Sequence, residues 1–194
     1  GMPAERRSRF CGIHFFNPPR YMPLVELIAT ADTDPAMVDA LEAWLTSRLG
    51  KSIVRARDTP SFVANRVGVL SILAVFHHTE RLGLAFDEVD QLTGVRIGRP
   101  RSGTYRTLDV VGLDTVAHVV NSMRASLADD PWSRHFRCPA WLQALIEKGD
   151  LGQKSGGGIY RKEGKRILVL DPTRQTHQDG KGVVHEEVEA ILRI

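Results

Sequence analysis

Residues 12–17 read GIHFFN and run directly into PPRYMPLVEL over residues 18–27. Two apolar and β-branched runs, CGIHFF and LVELIAT, flank a proline-punctuated turn, the pattern of two strands joined through NPPRYMP. A packed core has no use for a histidine and an asparagine bracketing two phenylalanines at a strand end. The rim of a reaction site does. His14 and Glu26 lie symmetrically about Arg20, so strands folding back through this turn set them opposite or nearly opposite one another. A carboxylate beside an imidazole fixes its tautomer, aims the other nitrogen outward and raises its basicity, as a general base requires. Spacing alone leaves the pair open between a structural contact and a catalytic dyad.

The segments that follow extend this sheet by one helix and one strand. Asp34 is placed to cap a helix, Pro35 suits its first turn, and Met37, Leu41, Trp44, Leu45 and Arg48 share a face before Gly50 ends it. KSIVRA returns to a strand. The order β, β, α, β is a fragment of a sheet, and its uncovered edges and face imply that the chain begins within a larger domain. From Asp58 the character turns helical. DTPSF is a start signal with Asp58 or Thr59 as cap and Pro60 at the first position, and Val67 to Phe76 is apolar on nearly every side, predicting a central buried helix. Further helices are predicted near 86–93, 113–127 and 139–148. GGGIYRKEGKRILVL reads as a hairpin turning at Glu163 and Gly164, DPTRQTHQDGKG as a linker, and HEEVEAILRI as a last helix.

Composition bounds the functional classes. With 194 residues, 42% hydrophobic and 25% charged, the chain is globular, with room for one large or two small domains. Cys11 and Cys138 lack metal-ligand or disulfide-framework spacing, which predicts free thiols in a reducing compartment, read as the cytoplasm. No apolar run reaches the roughly 18 to 20 residues of a membrane span. The start GMPAERRSR lacks the apolar core of a signal peptide, and Gly1 before Met2 reads as a tag-cleavage scar. The net charge of +3 is scattered and joins no nucleic-acid motif, so neither nucleic acid nor membrane is an expected partner. That charge is open between a solvated basic surface and attraction of a polyphosphate ligand.

Other polar residues each carry two readings. Asn65 lies early in the long helix, where an amide needs a partner: a core hydrogen bond or a ligand. GQKSGGG, residues 152–158, has neither the GxxxxGK[ST] nor the GxGxxG spacing of a phosphate loop, and reads as a tight turn presenting Lys154. Adjacent His77 and His78 point in different directions on a helix and have no third ligand spaced to join them, so no metal site is assigned.

Taken in order, GIHFFNPP, then LVELI, then GKSIVRARDTPSFVANRV, LDVVGLDTV and GDLGQKSGGGIY resemble the later part of L-3-hydroxyacyl-CoA dehydrogenases, over about residues 11–161. The resemblance implies an α/β tail of a Rossmann-type NAD-binding domain over 1–57. It implies an all-α substrate-binding and dimerisation domain over 58–161, of the kind found at the C-terminus of 6-phosphogluconate dehydrogenase. Residues 162–194 would form an extension of hairpin, linker and terminal helix. By the same resemblance His14 is the catalytic histidine, Glu26 holds it, Asn65 contacts the substrate oxygen, Asn17 contacts the NAD cofactor and the substrate, and Lys154 lies by the cofactor. The implied reaction is oxidation of 3-hydroxyacyl-CoA to 3-oxoacyl-CoA in fatty-acid β-oxidation, by a homodimer.

Two departures from the family pattern carry weight. The GxGxxG fingerprint of the dinucleotide site occurs nowhere in the sequence, so the 194-residue chain is expected to be inactive alone and its binding of NAD doubtful. IGRPRSGTYRTLDVVGLD and the continuation KEGKRILVLDP are closer in form to the large bifunctional proteins that fuse this dehydrogenase to an enoyl-CoA hydratase. A rival reading takes the chain as a non-catalytic helical module for dimerisation or docking.

Overall fold

The computed structural model describes residues 2–181, and the helix predicted over HEEVEAILRI lies outside them. The described backbone divides into two compact units, the first ending at Gly68 and the second beginning at Val69.

The first unit is a small α/β layer. After a short helix, α1 (Ala4–Arg7), come β1 (Cys11–Phe15), β2 (Leu24–Ala29), α2 (Pro35–Leu49) and β3 (Ser52–Arg57). They form a sheet ordered β1-β2-β3, in which β1 is antiparallel and β3 parallel to β2. The register sets His14 directly opposite Glu26. Helix α2 forms as its caps predict: the Asp34 carboxylate accepts from Ala36 N–H at 2.9 Å, and Gly50 ends the helix in the left-handed region at φ 62°. Val25 and Leu27 of β2 pack with Val38 and Leu45 of α2, with Met37, Leu41 and Ile53 at the edge of the cluster. Trp44, which shares that helix face in the sequence, is 51% exposed.

The long helix α3 (Ala64–Leu82) departs from the sequence reading in two ways. It starts at Ala64 rather than at Pro60, because the donors at its start are taken by the buried Glu26 carboxylate rather than by Asp58 or Thr59. Nor is it buried all round: Val69, Leu73, Phe76 and Thr79 are buried, whereas Val67 and Leu82 are exposed.

The second unit packs α4 (Phe86–Leu92), α5 (Tyr105–Val111), α6 (Leu113–Ser126) and α7 (Ala140–Glu147) with the later part of α3. Phe76, Phe86, Tyr105 and Trp141 form an aromatic cluster with ring centroids 4.1 to 6.0 Å apart. A second antiparallel sheet follows, β4 (Tyr160–Glu163), β5 (Arg166–Asp171) and β6 (Thr176–Asp179), in that order. The predicted hairpin is present, but the predicted linker contains β6, because residues 176–179 pair with β5 from Asp171↔Thr176 to Leu168↔Asp179. Val169 and Leu170 of β5 are buried in the helical core, so β5 packs as part of this unit.

Candidate active site

His14 and Glu26 meet as neighbouring strands dictate: His14 Nδ1 lies 2.8 Å from Glu26 Oε2. The Glu26 side chain is fully buried and that of His14 is 31% exposed. A buried carboxylate needs its lone pairs satisfied, and Glu26 finds the donors at the start of α3. Its Oε1 accepts from Val63 N–H at 2.9 Å and from Ala64 N–H at 2.8 Å. Burial pushes the carboxyl up, but the hydrogen bonds from Ala64 N–H, His14 and Val63 N–H outweigh it and hold Glu26 below the usual carboxylate range. Glu26 thus stays ionised, fixes a proton on His14 Nδ1, and leaves Nε2 as the nitrogen open to a reacting group. Nε2 makes no hydrogen bond among the described residues.

Two aromatic rings flank the imidazole. Phe16 lies 4.6 Å away between centroids and Phe62 5.8 Å away, tilted at 46° and 52°. The sequence carried a signal for Phe16, which lies inside GIHFFN, but none for Phe62, which arrives through the turn before α3.

Asn65 follows Ala64 directly, so the Glu26 carboxylate ties the start of its helix to the dyad. Its side chain is half-buried. Asn17 lies exposed two residues beyond β1, at a cis Asn17–Pro18 peptide bond. The loop that follows is held by Lys51, whose Nζ donates to the carbonyls of Pro19 at 2.5 Å and Met22 at 2.8 Å. Lys51 was not singled out from the sequence, since only the folded turn brings those carbonyls to it.

Lys154 belongs to the second unit. Its Nζ is held by both oxygens of Asp114, at 2.5 and 2.7 Å, and this ammonium depresses the Asp114 carboxyl. The GQKSGGG run is a tight turn rather than a phosphate loop. A Cβ at Gly152 or Gly158 would overlap Asp109, whose carboxylate accepts from Ile159 N–H at 2.8 Å and Tyr160 N–H at 2.7 Å. Asp109 and Asp114 both lie in LDVVGLDTV, and their work is to hold this turn and its lysine.

The described residues offer no cradle for the pyrophosphate of a dinucleotide. Such a cradle needs a glycine-rich turn opening onto free N–H groups at a helix start. Between β2 and β3 the helix start carries instead the Asp34 carboxylate and Pro35, which repel an anion and withhold a donor. Among the described residues no three His, Cys, Asp or Glu side chains gather to hold a metal ion, and both His77 and His78 are exposed. No described helix is long and apolar enough to cross a membrane.

An ionised carboxylate orienting an imidazole is an arrangement suited to acid–base chemistry. Residues 2–59 match the model of the 3-hydroxyacyl-CoA dehydrogenase NAD binding domain, and residues 62–162 that of the 3-hydroxyacyl-CoA dehydrogenase C-terminal domain. The chain therefore belongs to the 3-hydroxyacyl-CoA dehydrogenase family, with an N-terminal Rossmann-like α/β part followed by a helical C-terminal domain. It is 42% identical over 190 residues to a probable 3-hydroxyacyl-CoA dehydrogenase of Bacillus subtilis, covering 98% of this chain and 24% of the relative. It is 35% identical over 170 residues to a putative fatty acid oxidation complex trifunctional enzyme of Rickettsia prowazekii, covering 86% and 24%. Among solved structures it is similar to FadB2 of Mycobacterium tuberculosis, with a TM-score of 0.69 and 35% identity over 80% of this chain and 53% of the other. The chain spans about a quarter of the length of these two curated relatives.

Proposed function

We propose that this chain is the catalytic-dyad and helical part of an NAD-dependent L-3-hydroxyacyl-CoA dehydrogenase of fatty-acid β-oxidation. The observation that carries the reading is the His14–Glu26 contact at 2.8 Å, with Glu26 buried and ionised against the start of α3. His14 Nε2 takes the proton of the 3-hydroxyl as the alcohol is oxidised, and Glu26 stabilises the imidazolium that forms. Asn65, one residue beyond the helix donors that bind Glu26, holds the reacting oxygen. NAD, bound in the complete protein by a glycine-rich half that this sequence does not contain, supplies the hydride acceptor. Asn17 serves the nicotinamide end of the site. Lys154 acts near the cofactor as part of the Asp114 ion pair rather than as a free cation.

On this reading residues 1–57 are the tail of the NAD-binding domain, 58–161 the substrate and dimerisation domain, and 162–194 an extension. The substrate is an acyl-CoA, the site of action the cytoplasm. The length and multifunctional character of the relatives support a hydratase fused elsewhere in the complete protein. The test of the activity is NADH formation from L-3-hydroxyacyl-CoA by the complete protein, with the D-enantiomer as control. Turnover of neither, or equal turnover of both, contradicts the reading and favours a non-catalytic docking module.

The helical unit is proposed to join two copies. Val95, Val110 and Val111 are more than half exposed, and a self-complementary contact would remove them from water. Light scattering at micromolar concentration is expected to give twice the 21.6 kDa chain mass. A monomer mass alone would contradict the dimer.

A further inference from the structure

The turn ahead of α3 contains two successive residues in a conformation that side chains avoid. Ser61 has φ 63° and Phe62 φ 46°, both in the left-handed region, and neither is glycine. A bulky residue there is an outlier that persists only where its surroundings enforce it. The Asp58–Pro60 signal would have run straight into a helix without this detour, so the sequence has no local reason for it. Four contacts supply one. Phe62 N–H is held by the Thr59 carbonyl at 3.1 Å. The next two N–H groups, of Val63 and Ala64, both point at Glu26 Oε1. The Phe62 ring lies against the imidazole of His14, on which Phe16 also packs.

We propose that the Ser61–Phe62 turn is a positioning device for His14, with Phe62 as a positioning residue. Glu26 defines which nitrogen carries the proton, but one hydrogen bond leaves the ring free to swing about the Nδ1···Oε2 axis. Rings on the imidazole remove that freedom and fix where Nε2 points. The left-handed turn lets one short segment deliver both the ring to His14 and the two amide donors to its carboxylate. Tight packing around a general base matters because small displacements of the proton-accepting atom cost rate. Calling the positioned group catalytic rests on the function proposed above; the positioning itself does not.

The test is the nitrogen spectrum of His14 in the 194-residue chain labelled with 15N-histidine, which separates the two neutral tautomers. The wild-type chain is expected to show His14 as a single Nδ1–H tautomer with slow loss of that proton to solvent. Phe62→Leu keeps bulk without a ring, and is expected to keep the Nδ1–H tautomer but to show a broadened Nε2 signal and fast loss of the Nδ1 proton as the ring swings. Phe62→Tyr keeps the ring and is expected to restore the wild-type spectrum. Ser61→Gly relieves the backbone without touching the ring, and is expected to leave His14 unchanged while raising the melting temperature. An unchanged His14 spectrum in Phe62→Leu overturns the proposal. So does a disturbed one in Ser61→Gly with the fold intact, since the ring would then not be the cause. In the complete protein, Phe62→Leu is expected to lower kcat with little change in KM, and Phe62→Tyr to retain kcat. If the tautomer results hold while the complete protein fails to oxidise 3-hydroxyacyl-CoA, the dehydrogenase reading falls and the positioning stands.

Discussion

Replacing His14 by Ala in the complete protein is expected to lower kcat for 3-hydroxyacyl-CoA by about 100- to 10,000-fold, the usual worth of a positioned general base. The loss should fall on kcat, because Nε2 acts when the hydroxyl proton departs and contributes little to holding the ground state. Binding of NAD, followed by fluorescence titration, is expected to be largely unchanged, since the dinucleotide's pyrophosphate is held elsewhere. A variant retaining more than a tenth of wild-type kcat would mean that another group takes the proton.

Replacing Glu26 by Ala is expected to cost several kcal/mol of stability, at about 1 to 3 kcal/mol for each donor left without its acceptor. Three hydrogen bonds explain why so much depends on one side chain. Oε2 meets His14 Nδ1, and Oε1 meets the amides of Val63 and Ala64, so the alanine variant leaves three donors without their acceptor. Glu26→Gln separates stability from catalysis. Its amide oxygen can serve the two backbone donors, while its NH2 group facing Nδ1 forces the proton to Nε2, so the fold is expected to survive with kcat much reduced. The pH dependence follows the same carboxylate. Its folded value lies below that of an unfolded glutamate, near 4.3, so its contribution is present above that pH and is lost as pH falls through the folded value. Thermal melts of the wild type should show this acid limb, and melts of Glu26→Gln should lack Glu26's share of it.

Local chemistry made much of this legible. The strands around NPPRYMP, the Asp34 cap and the Gly50 stop depend on neighbours in sequence, and the His14–Glu26 pairing follows once the two strands are antiparallel. What local chemistry could not show was set by distant partners. The start of α3 moved from Pro60 to Ala64 because its cap is a carboxylate 38 residues earlier in the chain. The polar run after Asp171 became β6 because β5 offered it a free edge, although nothing in DPTRQTHQDGKG alternates like a strand. Lys154 was read as a cofactor contact from its motif, which carries no trace of the Asp114 carboxylate 40 residues away that holds it. Phe62 is illegible for a similar reason: it sits in a left-handed turn that no residue preference predicts.

The central claim is that this chain carries the proton-transferring half of a dehydrogenase site and lacks the pyrophosphate-binding half. Holding the reactants in hydride-transfer geometry supplies roughly 7 to 11 kcal/mol of barrier reduction, so a chain without the second half should be inert. The most direct measurement is NADH formation by the purified 194-residue chain, with L-3-hydroxyacyl-CoA and NAD, beside a longer polypeptide that restores the upstream domain. NADH formation by the longer protein, with none above background from the 194-residue chain, is the expected result. Comparable turnover by the 194-residue chain would show that its residues bind the dinucleotide without a glycine-rich turn, and would contradict the account.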